Sequence, residues 1–188
     1  MKNFDWCAYT YRHRRAFKYI ADKLIKDEKI KQEMFKRAKV HDMDKLVMYM
    51  FLDQYTSQRQ HVLTKSHHLE YSGEHTYMDM LETVIDYECS PYTKPDKPLN
   101  AYDFANKLLE KELISVDVHR QLLDIMHELD IDSSYEVTDD VEGMAYMQSI
   151  GDITEEMILL EVMQYINENE CPELEFIKQS LPPSNDVR

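Results

Sequence analysis

Glycine is scarce in this chain: only Gly73, Gly143 and Gly151 occur in 188 residues. Neither a G-x-G-x-x-G dinucleotide loop nor a G-x-x-x-x-G-K-[ST] phosphate loop can be written with them, which excludes Rossmann-type and Walker-type nucleotide binding. The three cysteines, Cys7, Cys89 and Cys171, are far apart and never form C-x-x-C. That speaks against a disulfide framework and a thiolate zinc site, and predicts a reducing, cytoplasmic setting. Long apolar runs are lacking too. The longest, Leu46 to Leu52, falls well short of the roughly 20 residues that cross a bilayer, and the opening MKNFDWCAYTYRHRR has no apolar signal core. The expectation is a protein that neither spans a membrane nor is exported.

Positive charge is missing from one half only. Residues 1 to 100 hold 17 Lys and Arg against 15 Asp and Glu, whereas residues 101 to 188 hold 5 against 21, giving a net charge of −14. Such a surface repels nucleic-acid backbones, so a duplex is an unfavourable partner. The acidic half suits a solvated surface or a basic protein partner, and self-association stays open. The first 41 residues, with 12 basic and 5 acidic side chains, are the end at which a small anionic substrate would bind.

What is present is helical periodicity. Trp6, Tyr9, His13, Phe17, Ile20 and Leu24 recur at spacings of three and four, predicting a helix to about Leu24 with His13 on its apolar face. A second helix carries Met34, Phe35 and Ala38 towards His41 and Asp42. A third is expected from Asp42 or Asp44 to Tyr55. After the histidine-rich RQHVLTKSHHLEY comes HTYMDMLETVIDYEC, in which Met78, Leu81, Glu82, Ile85, Asp86 and Cys89 share a face, so two carboxylates point toward a core. SPYTKPDKPLN, residues 90 to 100, carries three of the six prolines and predicts a loop and boundary. Beyond it, 101–113, 116–129 and 155–168 read as helices, with Ser115 and Thr154 as caps of the last two. Residues 135–140 suit a short extended piece, and the tail from Leu181 suits disorder. The fold expected is an all-α bundle: a core over residues 1–95, an acidic helical extension over 96–181 packing on it, and a tail over 182–188.

Six of the eight histidines fall between positions 13 and 75. Imidazoles and carboxylates brought together from several helices suit divalent transition metals such as Mn, Fe, Co, Ni or Zn, and one ion takes about four to six ligands, so the inventory can serve one ion or two. Each residue alone has a plainer reading. His13 can be a core histidine on a backbone carbonyl; Asp42 or Asp44 can cap a helix; Asp86 can pair with Arg14 or Lys45. His67 and His68, about 100° apart on a helix, compete for one ligand position, His68 favoured if the helix from His61 continues and His67 if the chain turns. Glu82 can orient a ligand imidazole or act as a general acid or base. His75, His119 and His127 read as surface residues.

The order H…HD…H…H…D resembles the HD superfamily of all-helical metal-dependent phosphohydrolases. HRRAF at 13–17, HDMDK at 41–45, H-x5-HHLEY at 61–71 and ETVIDY at 82–87 are similar to an uncharacterised HD-like family of bacteria and their phages. The resemblance covers residues 9 to 90 and not the acidic half. It departs at Asp44, where the family tends to have Ser, at Lys65, in place of Asn, and at Ser72, in place of Trp; the last two bear on the substrate pocket. The resemblance implies His13, His41, Asp42 and Asp86 as metal ligands, with Asp42 bridging two ions and His61 plus His67 or His68 completing the second. It implies hydrolysis of a small nucleotide or phosphorylated metabolite, with Lys45, Arg14 or Lys65 neutralising phosphate. Two-iron oxygenases in the same superfamily use the same ligand order. A non-enzymatic partner-binding protein is the third reading.

Overall fold

In a computed structural model of the chain, residues 1, 3–94, 99–131 and 139–181 are described, and they form an all-helical bundle. The helices are α1 (Phe4–Leu24), α2 (Glu28–Val40), α3 (Met43–Tyr49), α4 (Gln54–Thr64), α5 (Tyr77–Cys89), α6 (Ala101–Glu110), α7 (Val116–Glu128), α8 (Val141–Ser149), α9 (Glu155–Glu168) and α10 (Glu173–Ser180), with a 3₁₀ turn at Ser90–Tyr92. No described helix is long and apolar enough to cross a membrane. Most helix starts are written in the sequence. Side chains of Asp27, Asp53, Asn100, Ser115, Asp140 and Thr154 accept from first-turn backbone N–H groups, and Thr76 with Asp79 forms a reciprocal capping box at α5.

The single helix expected from Asp42 or Asp44 to Tyr55 is two. Asp53 accepts from Thr56 N at 2.9 Å and starts α4 afresh, while Leu52 N donates to Met48 O at 2.8 Å and closes α3 in a turn. All seven residues of α3 are buried, so Leu46 to Tyr49 form a core plug rather than one face of a long helix, while Phe51 beyond them is exposed. Trp6 is not central to the buried stripe of α1 but 41% exposed; Cys7, Thr10, Arg14, Phe17 and Ala21 lie nearer its centre. α8 and α10 were not foreseen, because each is short and buries few residues: Gly143 in α8, Glu173 and Ile177 in α10. The expected extended piece falls largely on residues outside the described set, as does the tail over 182–188.

Burial divides into two apolar clusters that α1 joins. One packs Ala16, Phe17 and Ile20 of α1 with Met34 and Ala38 of α2, Leu81, Val84 and Ile85 of α5, and Leu122 and Met126 of α7. The other packs Cys7 and Tyr11 of α1 with α3, Ile158 and Val162 of α9, and Ile177 of α10. His13 sits on α1 between the two, which is why a polar cluster can be buried here without interrupting either core.

Asp140 ties α8 to the first cluster. It accepts from Gly143 N at 3.1 Å and Tyr92 Oη at 2.6 Å and pairs with Lys23 at 2.8 Å. Burial works against its charge, and Lys23, Tyr92 and the capped N–H outweigh it, holding the carboxyl below its ordinary value. Asp140→Ala should therefore cost about 1 kcal/mol at neutral pH through the lost cap. Because a depressed carboxyl contributes above its unfolded pKa and stops doing so as pH falls through its folded one, the gap between wild-type and variant thermal melts should narrow in acid.

Candidate metal centre

α2 ends where the site begins. Its C-cap is His41, and the next residue, Asp42, has φ 57° and ψ 9°, in the left-handed region. A non-glycine residue there is uncommon and costs on the order of 1 kcal/mol or more, which surrounding contacts must hold. Asp42 is buried, 3% exposed, and its side chain makes no cap hydrogen bond to α3. The capped-start reading of Asp42 is therefore excluded: the bend turns its carboxylate inward. Asp44 does not cap either. It accepts from His61 Nδ1 at 2.7 Å.

Five imidazoles come together around Asp42. The His13 and His41 ring centroids are 5.8 Å apart, His41 and His67 4.8 Å, His61 and His67 5.4 Å, and His67 and His68 4.5 Å. His13 Nε2 lies 2.6 Å from Asp86 Oδ1 and 3.8 Å from Asp42 Oδ2, while His61 Nε2 lies 3.2 Å from Asp42 Oδ1. His41 Nε2 is 3.7 Å from Asp86 Oδ1 and 3.9 Å from Asp42 Oδ1. Donors held about 2.1 Å from one ion stand roughly 3 to 4 Å apart, so the separations around Asp42 and between His41 and Asp86 fit a shared cation, while His13 and Asp86 are hydrogen-bonded at 2.6 Å. All seven residues singled out as ligands, His13, His41, Asp42, His61, His67, His68 and Asp86, are brought together. The competition between His67 and His68 dissolves because α4 stops at Thr64 and the chain turns: both rings meet His61.

The donor chemistry carries a sharper test. His41 Nε2, His67 Nε2, Asp42 Oδ1 and Asp44 Oδ1 are buried with no hydrogen-bond partner. Buried polar atoms left bare cost about 1 to 3 kcal/mol each, so several at one spot call for a group to which all are donors. Groups of these residues have ligand atoms within 4.8 Å of one another: His13, His41 and Asp42; His41, His67 and Asp86; His61, His67 and His68; Asp42, Asp44 and His61. A divalent ion fits them.

An outer ring holds the ligands in place. Glu82 Oε1 accepts from His41 Nδ1 at 2.9 Å and lies 3.2 Å from His67 Nδ1, directing both Nε2 atoms inward. Arg37 in turn bonds Glu82 at 3.0 Å and Asp79 at 2.7 Å. Burial opposes the Glu82 charge, but the two imidazoles outweigh it and keep its carboxyl well below the usual range. It is a fixed carboxylate, unsuited to the general-acid role. Burial likewise opposes the His41 imidazolium, and the Asp42 and Asp86 carboxylates outweigh that, raising the imidazole to about 10. A cation taken up here displaces that proton. Burial and the neighbouring His61 and His67 push His68 down to about 2, so its ring is neutral and ready to donate.

The three residues named for substrate chemistry separate. Lys45 is buried beside Asp42, with Nζ 3.0 Å from Oδ2; burial opposes its charge, yet Asp42 and Asp86 keep it an ammonium. Arg14 does not face the cluster with its charge free. It donates to the His41 and Lys39 carbonyls and to Glu161, because α1 presents it to the end of α2 and to α9. Lys65 pairs with Glu173 at 3.0 Å and lies 3.7 Å from Asp44. Arg37 and Asp79 were missed in the sequence; the capping box at Thr76 was the available signal for Asp79. Of the histidines read as surface residues, His75 donates from Nδ1 to the Ser66 carbonyl and His119 from Nε2 to Asn106 Oδ1, and neither belongs to a candidate ligand group.

The cluster is reached through a cleft of about 450 Å³ lined by Arg37, His41, Asp42, Lys65, His67 and Glu82, with Tyr71 and Tyr165 among its walls. No family model, curated protein or solved structure matches the chain.

Glu82→Gln should keep the fold while loosening both imidazoles that Glu82 orients. Metal affinity, measured by chelator competition, should fall about 10- to 100-fold.

Proposed function

We propose that the protein is a metal-dependent phosphohydrolase of HD type, acting on a small phosphorylated molecule at the cleft over His41 and Asp42. The observation that carries the reading is the set of bare buried donors, His41 Nε2, His67 Nε2 and Asp42 Oδ1, on residues that also line an open cleft. A structural ion would be sealed; donors that border a cleft leave room for substrate. His13, His41, Asp42 and Asp86 would hold one ion, and His61, His67 and His68 with Asp42 a second. A bound divalent ion polarises phosphoryl oxygens and makes water a nucleophile near neutral pH.

The chain's own groups do the rest. Lys45, fixed as an ammonium against Asp42, contributes positive charge to the cluster where phosphoryl oxygens gather it. Lys65 and Arg37 supply the cations of the cleft wall, each tethered to a carboxylate and so held in position. Glu82 keeps two imidazoles aimed. Water adds to phosphorus, the ester P–O bond breaks, and the alcohol leaves with a proton.

Purified protein should contain a divalent metal and release phosphate from some members of a panel of nucleotides and phosphomonoesters when supplied with Mn, Co, Ni or Mg. Asp42→Asn should remain helical and lose both metal and turnover, by at least about 100-fold in kcat/KM. Two bound irons with oxygen uptake would replace this reading by an oxygenase. Absence of metal and of turnover with every ion would leave a helical binding protein whose acidic half docks a basic partner.

A further inference from the structure

We propose that the two ends of the cluster are unequal metal sites: a nitrogen-rich end built on His61, His67 and His68 that retains a zinc-like ion, and an oxygen-richer end built on His13, His41 and Asp86 that takes a manganese-like ion weakly. This rests on the metal-cluster reading above and goes beyond it, because that reading treats the ions as interchangeable.

The division is in the geometry. His61, His67 and His68 form one candidate group with no carboxylate in it, whereas His13, His41 and Asp42 form another at the opposite end, and Asp86 groups with His41 and His67. Asp42 and His67 recur in groups at both ends, which makes them the shared middle. His68 is the residue that tips the balance. Its Nε2 is 2.6 Å from His61 Nε2, a contact one proton can bridge, and opening the pair by a few tenths of an ångström brings both nitrogens to the spacing of adjacent ligands on one ion. With His67 Nε2 bare beside them, that end offers three imidazoles. Imidazole favours zinc, nickel and copper over manganese and magnesium, whereas carboxylates favour the harder ions.

Two further contacts widen the difference. At the nitrogen-rich end, Asp44 holds His61 Nδ1 at 2.7 Å, fixing the tautomer that presents Nε2 and making that nitrogen a stronger donor. At the other end, the Asp42 oxygen nearest His13 is the one already paired with the Lys45 ammonium at 3.0 Å. A fixed positive charge at that position repels a dication and shares its ligand. The ends thus differ in donor type and in local charge, and both differences point the same way.

The test starts with the unaltered chain. Metal-free protein is titrated with Zn²⁺ and separately with Mn²⁺, followed by metal analysis after desalting and by the electron paramagnetic resonance signal of free Mn²⁺. The expected result is one Zn²⁺ per chain that survives desalting and a second, weaker class, at least about 100-fold apart, with Mn²⁺ binding only weakly. In His68→Gln the retained Zn²⁺ should weaken about 10- to 100-fold while Mn²⁺ binding is unchanged. In Asp86→Asn the retained Zn²⁺ should persist and Mn²⁺ binding should be lost. Two equal classes in the unaltered chain, or a His68→Gln protein that keeps its Zn²⁺ at wild-type affinity, would overturn the asymmetry while leaving the metal centre intact. A chain that binds neither ion would overturn the centre itself. Circular dichroism of each variant separates loss of a site from loss of the fold, and the two-class titration of the unaltered protein decides the matter without either variant.

Discussion

The constraint on which the structure turns is the burial of imidazoles and carboxylates at one place. Asp42, Asp44, Glu82 and Asp86 are each 9% exposed or less, and so are His13, His41, His61 and His67. Taking such groups out of water costs several kcal/mol apiece unless each charge finds a partner. Many do: Glu82 is met by two rings and Arg37, and Asp44 by His61 and Lys65. The four atoms of the cluster left without partners, His41 Nε2, His67 Nε2, Asp42 Oδ1 and Asp44 Oδ1, are what a cation would complete.

Helices and the short connections between them share the work of holding the arrangement. Ligands come from α1, the bend between α2 and α3, α4, the turn after it, and α5. Each imidazole other than His68 and His13 has a carboxylate at Nδ1, supplied by Glu82 or Asp44. Left-handed backbone at Asp42 stores a little strain at a residue whose two oxygens face in different directions, toward His13 and toward His61. Strain of that kind persists only where surrounding contacts outweigh it.

Much of this was legible in the sequence because it depended on local rules. Helical spacing marks α1 and α5, cap residues mark α7 and α9, and the order of His and Asp side chains names the residues that meet. What was not legible depended on tertiary context. Nothing in Leu46 to Leu52 distinguishes a run whose Leu46 to Tyr49 are all buried from one face of a longer helix, until Asp53 is seen restarting the chain. α8 and α10 bury too little of their own surface to show a stripe. Arg14 reads as a free cation in a basic segment, and only packing against α9 reveals that Glu161 has taken it. The choice between His67 and His68 depended on where α4 stops, a single-residue question that periodicity does not answer.

Glu161 gives the acidic half a part that its composition hides. Its carboxylate grips Arg14 at 2.9 Å and Arg15 at 2.9 Å, and Arg14 passes that hold to the carbonyl of His41, the residue that closes α2. The half that carries the candidate ligands and the acidic half are therefore joined at Glu161, with the Arg14 guanidinium reaching the backbone of one of those candidates. A chain cut short before α9 would retain every candidate ligand and lose the brace behind one of them, so the smallest fragment that carries the motifs is not the smallest that carries their geometry.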